Sequence, residues 1–220
     1  MKKALIIAPH PDDESLGAGG TLLRLKSEGY KIYWMIVTEQ NKKELTKNKI
    51  FIREKEIKKV SKYYKFDETI QLKLKANMLD TIPLDEIIKK FKKVFDKIKP
   101  ELIFTPFEKD VHTDHLIVSR ATLACVKSFR NPNVKKVLAY ETISETDFNF
   151  ANNEKFKAQI FYDISKFLNK KINISKIYKS EMSKHPFPRS SISIKSLANL
   201  RGAQSGFKSA EAFQLIFEKI

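Results

Sequence analysis

Cysteine is almost missing from this chain of 220 residues: Cys125 stands alone, so no disulfide can form within it. Cys125 also falls inside an apolar helical pattern, and the expectation is a reduced, cytoplasmic protein. Long hydrophobic runs are missing too. No apolar stretch approaches the roughly 20 residues of a membrane-crossing helix, so no transmembrane segment is expected. The N-terminus enters a strand pattern almost at once, without the apolar region and small-residue cleavage site of a secretory signal. No internal repeat or low-complexity linker breaks the sequence, which predicts one domain over residues 1–220. Arginine is scarce as well. Of 42 basic residues only six are Arg, leaving 36 Lys, in a chain of net charge +16. Recognition of nucleic acid favours the bidentate fork of Arg. Lysines spread along helix faces, such as Lys89, Lys90, Lys92, Lys93 and Lys97, fit a lysine-biased composition at least as well as a polyanion partner. No nucleic-acid partner is expected.

What is present is a regular alternation. Strand-like runs cover 3–8, 31–37, 68–74, 101–105, 134–141 and 159–164. Helical patterns cover 21–28, 50–64, 84–98 and 115–129. The third of these helices carries Ile87, Ile88, Phe91, Val94, Phe95 and Ile98 as one stripe between Pro83 and Pro100. Strands alternating with helices predict an α/β fold, with a mainly parallel sheet and helices on both faces. After residue 164 the pattern reads as helix only, over 164–183, 193–204 and 210–217. The expectation there is an all-helical C-terminal segment, interrupted by the stiff loop Lys184-His185-Pro186-Phe187-Pro188-Arg189-Ser190. A polar loop at 42–47 follows the second strand.

The chemistry concentrates in Ala8-Pro9-His10-Pro11-Asp12-Asp13-Glu14, directly after the first strand. Open α/β sheets place ligands at such strand ends. Adjacent carboxylates raise one another's pKa unless a cation or hydrogen bonds compensate, and a metal ion accounts for them. Of the four histidines, two more lie in Asp110-Val111-His112-Thr113-Asp114-His115, after the strand at 101–105. That strand end shares a rim with the first. Catalytic zinc commonly takes three His or carboxylate ligands and keeps one open position. His10, Asp13 and one histidine of the second cluster make such a set. Asp12 is then the general base, the other histidine faces an oxyanion, and Asp114 orients it. The inventory is that of metal-assisted amide hydrolysis. Gly17-Ala18-Gly19-Gly20 lacks the third glycine of a dinucleotide fingerprint and the Lys of a P-loop, and the neighbouring acids would repel phosphate.

Pro-His-Pro-Asp-Asp-Glu, the following Gly-Ala-Gly-Gly and the later His-x-Asp-His together resemble the PIG-L/LmbE-like zinc N-deacetylases. Arg201-Gly202-Ala203-Gln204-Ser205-Gly206 with Ala210-Glu211-Ala212-Phe213 is also similar to that family. The resemblance implies a Rossmann-like fold and removal of the N-acetyl group from an N-acetylglucosamine-type sugar, yielding acetate and an amine. It implies zinc on His10, Asp13 and His115, and Asp12 as base. It also gives His112, held by Asp114, the role of stabilising the tetrahedral intermediate or protonating the amine. Arg53 resembles a substrate-contacting arginine. The segment from Tyr140 through Glu141 to Thr146, and the loop bearing Arg189, resemble a subgroup tied to polysaccharide and glycoconjugate synthesis. Both become candidate substrate-binding loops, and if the substrate is a nucleotide-sugar, Arg189 or the lysines would meet its phosphates. Some members carry a tyrosine two residues before the first histidine of the second motif. Asp110 stands there, which leaves the oxyanion to zinc and His112 or to a side chain such as Tyr140. His185 reads as a loop residue, and Glu14 is left to support the turn or the groups behind the ligands, with no chemistry of its own.

The ligand set suits Fe2+ or Co2+ as well as Zn2+. The sugar is open too: free, nucleotide-linked, lipid-linked or part of a glycan. Self-association into a homo-oligomer is equally open. Two rival readings are a non-catalytic metal- or polyanion-binding protein with a basic surface, and a deacetylase of a lipid-linked sugar held at a membrane face.

Overall fold

Residues of the first strand are apolar without alternation because both of its faces are covered. In the computed structural model, which describes residues 2–40, 46–151 and 153–220, β1 (Lys3–Ala8) lies inside one seven-stranded sheet. Leu5 and Ile7 point into one apolar layer, and Ala4, Ile6 and Ala8 into the other. The remaining strands are β2 (Lys31–Glu39), β3 (Glu68–Lys75), β4 (Leu102–Pro106), β5 (Lys136–Tyr140), β6 (Ile160–Asp163) and β7 (Ala210–Glu218). Their order is β3-β2-β1-β4-β5-β7-β6, parallel from β3 to β5, with β7 antiparallel to both of its neighbours. The chain leaves β1 for β2 on one side and later returns to β4 on the other. The boundary between β1 and β4 is therefore the switch point at which such sheets open a crevice.

The helices are α1 (Asp13–Ser27), α2 (Lys47–Tyr64), α3 (Leu84–Ile98), α4 (Thr113–Cys125), α5 (Leu168–Ser175) and α6 (Ser191–Ser205). α1 and α2 cover one face, and α3 and α4 the other. Of the predicted stripe, Ile88 is half-buried against the same layer, and Ile87, Phe91, Val94, Phe95 and Ile98 are buried. Each such side chain stabilises by about 1.5–3 kcal/mol. Exposed lysines of α3 pair one turn away, Lys89 with Asp85 at 2.8 Å and Lys92 with Asp96 at 2.6 Å. Among the described residues no helix is long and apolar enough to cross a membrane. Residues 42–45 of the anticipated polar loop lie outside the described ones. Thr46 accepts the Lys49 N–H and caps α2.

Three expectations change. α1 begins at Asp13 and not at residue 21, so the glycines stand inside it. A Cβ on Gly17 would lie 2.2 Å from the Tyr140 ring, and one on Gly20 would lie 2.7 Å from Ile164. Helix propensity gave way to close packing here. The helix anticipated over 164–183 shrinks to α5, eight residues long. Beyond it Tyr178 and Glu181 turn away to partners on α1 and α2. The C-terminal segment is not all-helical, because residues 210–217, read as helix from Ala and Glu, form β7 between β5 and β6. A strand paired on both sides overrides that local preference.

β7 also carries Glu211 into the middle of α1. Its carboxylate accepts the N–H groups of Gly20 at 2.8 Å and Thr21 at 2.7 Å, and Lys171 Nζ lies 2.6 Å from it. Lys171 donates in addition to Leu16 O at 2.8 Å. Both charges are buried, and each satisfies helix backbone that the glycines leave accessible. Lys171→Met should strand the Glu211 charge and destabilise the fold by about 3–5 kcal/mol, read from urea unfolding.

Candidate active site

Both halves of the site hang from the carboxyl ends of adjacent strands. After β1, Thr38 pins the turn by donating from N and Oγ1 to Pro9 O at 3.0 and 2.8 Å. His10 follows, and its backbone N–H donates to Asp13 Oδ2 at 2.8 Å. After β4 the chain turns through Asp110, and His112 caps α4, its Nδ1 accepting the Asp114 N–H at 3.1 Å. Across the switch point, Asp13 Oδ2 lies 3.4 Å from His10 Nδ1 and 3.4 Å from His115 Nε2.

The other ring nitrogen of each histidine is held by a second carboxylate. His10 Nε2 lies 3.0 Å from Asp114 Oδ2, and His115 Nδ1 lies 2.8 Å from Asp110 Oδ2. Both acids are themselves anchored. Asp114 accepts the N–H groups of Asn77 at 2.8 Å and Leu79 at 3.2 Å, and Asp110 accepts the Thr146 hydroxyl at 2.6 Å. Carboxylates behind ligating histidines fix tautomer and ring orientation in this way.

Asp114 was expected to orient His112. Its carboxylate serves His10 instead, and only its backbone N–H reaches His112, because α4 begins there. Asp110 was read as a gap where a tyrosine should be, yet it is the support of His115. A buried acid inside the same histidine cluster was the available signal. Tyr140 is not at the cavity. It is fully buried and donates to Ile7 O at 2.9 Å.

Among the described residues, two triads have ligand atoms within 4.8 Å of one another, His10–Asp13–His115 and His10–His112–Asp114. The first fits a cation better. His115 Nε2 is buried without a hydrogen-bond partner, although it points at a carboxylate oxygen. A metal ion between that ring nitrogen and the carboxylate would complete both, in place of the proton they otherwise share. In the second triad the Asp114 oxygens are already taken by two backbone N–H groups and His10. No ion is part of the structure, and the donor set admits zinc among other divalent cations.

The electrostatics agree with a site built for positive charge. Burial lowers the pKa of His10, but the hydrogen bonds with Asp114 and Asp13 outweigh it and raise the value to about 9. Burial likewise lowers that of His115, and the Asp13 charge and Asp110 bond carry it up to about 10. Burial works to raise Asp13, while His115 and His10 hold its carboxyl well below the usual range. His112 goes the other way, to about 4, through burial and its histidine neighbours. Asp12 is pushed up by burial and by the Asp13 charge, with Arg189 opposing.

A cavity of about 180 Å³ opens over this cluster, with His10, Asp12, His112, Arg53, Asn77 and Arg189 in its wall. Arg53 stands where expected, bonded to Glu181 and to Ser180 Oγ at 2.9 Å, and its Nη1 lacks a hydrogen-bond partner. Arg189 is placed in the wall but is engaged on nearly every donor. It meets Asp12 Oδ2 at 3.0 Å, Glu181 at 3.2 Å, Glu145 at 3.1 Å and Ser144 Oγ at 2.8 Å. A substrate phosphate would have to replace one or more of these four contacts. Glu141 does not reach this cavity. Arg201 closes on it in a bidentate pair at 2.7 and 2.5 Å, and it lines a neighbouring groove of about 380 Å³ with His185 and Leu200.

With this geometry established, similarity to known proteins decides the family. PIG-L, described as GlcNAc-PI de-N-acetylase, matches residues 5–126, more than half of the chain. The chain belongs to the PIG-L family. Diacetylchitobiose deacetylase of Thermococcus kodakarensis is 23% identical over 229 aligned residues, covering 98% of this chain and 84% of that protein. A probable N-acetyl-alpha-D-glucosaminyl L-malate deacetylase 2 of Bacillus cereus is 28% identical over 135 residues, 57% of this chain and 61% of that one. The crystal structure of the conserved protein TT1542 from Thermus thermophilus superposes with a TM-score of 0.81 at 26% identity. The match covers 100% of this chain and 97% of that one. The α/β fold is thus that of the PIG-L deacetylases.

The second carboxylates and the raised histidines can both be probed through the metal. Asp110→Asn should weaken metal affinity by about 10- to 100-fold, measured by competition with a chelating dye, because His115 loses its orienting acid. Metal must also displace protons from His10 and His115, whose raised pKa values keep them protonated at neutral pH. Apparent Zn2+ affinity should therefore climb from about pH 6 to about pH 8, up to roughly tenfold per pH unit for each proton released.

Proposed function

We propose that the protein is a metal-dependent N-deacetylase of an N-acetylglucosamine-type sugar, free or within a glycoconjugate, with residues 1–220 acting as one domain. The observation that carries this reading is the orphaned His115 Nε2 facing Asp13 and His10, beside a cavity walled by Asp12 and His112. Membership of the PIG-L family supports it, since the matched residues 5–126 contain every member of both histidine clusters. The names of the Thermococcus and Bacillus relatives support an acetamido sugar.

His10, Asp13 and His115 would hold the cation. Zinc or a similar ion bound there supplies a Lewis acid for the acetyl carbonyl and lowers the pKa of a coordinated water. Asp12 takes the proton of the attacking water; burial, which favours its neutral form, strengthens it as a base. Water oxygen bonds to the acetyl carbon, and the carbonyl oxygen becomes an oxyanion. His112 is neutral at physiological pH by its lowered pKa, and its Nδ1 accepts the Asp114 N–H, so its proton sits on Nε2. From there it donates a hydrogen bond to the oxyanion and keeps its proton, while Asp12 passes the proton it took from water to the departing nitrogen. The C–N bond breaks, leaving acetate and an amine that carries the transferred proton. Arg53, whose Nη1 makes no hydrogen bond and lies 3.4 Å from Glu56 Oε2, contacts the sugar from the cavity wall.

The test is a screen of the metal-loaded protein on N-acetylglucosamine, N,N'-diacetylchitobiose and the malate glycoside of N-acetylglucosamine. Released amine and acetate are measured. Asp12→Asn should keep its metal and lose about 10²–10⁴-fold in kcat. Undiminished turnover in that variant removes the base, and silence on every acetamido sugar removes the function.

A further inference from the structure

We infer that Glu14 is a positioning residue, which holds Asp12 in a strained backbone so that its carboxylate serves the cavity and not the helix. The inference rests on the proposed role of Asp12 as base. Asp12 occupies the N-cap of α1, where an Asp side chain ordinarily accepts N–H groups of the first turn. Here it makes no capping bond, and φ is +133°, a value that an L side chain adopts only under strain. Its carboxylate is turned to the cavity, with Oδ2 held by Arg189.

Glu14 supplies the hold. Its Oε2 accepts the Asp12 N–H at 3.0 Å, and its Oε1 accepts Ser15 Oγ at 2.6 Å and Tyr178 OH at 2.8 Å. Glu14 reaches back to the N-cap N–H from N2, one position short of the N3 acid of a capping box, and the N-cap side chain returns no bond to the first turn. Glu14 is 0% exposed and lies behind the cavity wall, so it touches no substrate and works through Asp12. Three donors on one buried carboxylate fix its orientation, and that orientation fixes the Asp12 N–H. Tyr178 ties the same hold to the cavity rim, because its ring lies under the Arg53 guanidinium at 5.6 Å.

The test is a mutant cycle on whichever acetamido sugar the wild type turns over fastest, with metal content and Tm recorded for each variant. Glu14→Gln should lower kcat by about 10- to 100-fold, the loss of a hydrogen bond to a charged group, with KM within about threefold and metal unchanged. Added to Asp12→Asn it should cost no further rate beyond about twofold, because the residue it positions is already disabled. Tyr178→Phe, which keeps the fold's apolar contact, should lower kcat by about 3- to 10-fold in the same pattern. Wild-type kcat in folded, metal-loaded Glu14→Gln overturns the inference, and so do losses that add fully in the double variant. Should Glu14→Gln fail to fold, Tyr178→Phe decides alone: an unchanged kcat, or a loss that persists in the Asp12→Asn background, overturns it. Full activity in Asp12→Asn would instead overturn the base assignment itself.

Discussion

A single carboxylate oxygen joins the two halves of this protein's chemistry. Asp13 Oδ2 faces His10 from its own turn and His115 from a helix about a hundred residues later, and it accepts the His10 N–H as well. Each of those contacts demands a buried anion, and burial alone would neutralise it. The histidines keep it charged, and they in turn depend on Asp110 and Asp114. Removal of any one acid leaves a cation or a donor uncompensated in a dry place. The four loops that meet here come from the ends of β1, β3, β4 and β5, so the sheet order is what permits the charges to assemble.

Polar groups continue outward in the same manner. Asp12 is bound by Arg189, Arg189 by Glu181, and Glu181 by Arg53, an alternating chain of acids and guanidinium groups around the cavity mouth. Alternation keeps each charge satisfied without a counter-ion from solvent. The interior of α1 follows the same logic on a smaller scale, with Lys171 and Glu211 meeting backbone groups that the glycines expose. Glycine there is a packing choice, and it lets a ring, a methyl group and a carboxylate come close to one helix.

Much of this was legible in the sequence. The parallel sheet follows from buried runs between amphipathic helices, and both histidine clusters sit at strand ends as their positions implied. The three residues His10, Asp13 and His115 are brought together, and Arg53 reaches the cavity. The supports were less legible. Asp114 and Asp110 each have a histidine near them in sequence, but the one each serves is chosen by helix geometry and by loops after β3 and β5. Nothing in spacing tells that Asp114 would reach His10 across 104 positions. The C-terminal strand was misread because Ala and Glu carry a helical preference, while the slot between β5 and β6 is a tertiary fact. Glu141 was misplaced because its partner, Arg201, lies on a helix whose docking no local pattern records.

The route of Arg189 has a bearing on how such enzymes diverge. The histidines and acids come from residues 5–126, but this arginine enters from the loop before α6, in the other half of the chain. That loop also borders the groove of about 380 Å³ through His185. One short segment therefore touches the Asp12 carboxylate at one end and the outer groove at the other. A change in the groove-facing part shifts the backbone that delivers Arg189. A substitution on the groove side of this segment would thus be felt at Asp12 through Arg189, without any change in the histidine clusters.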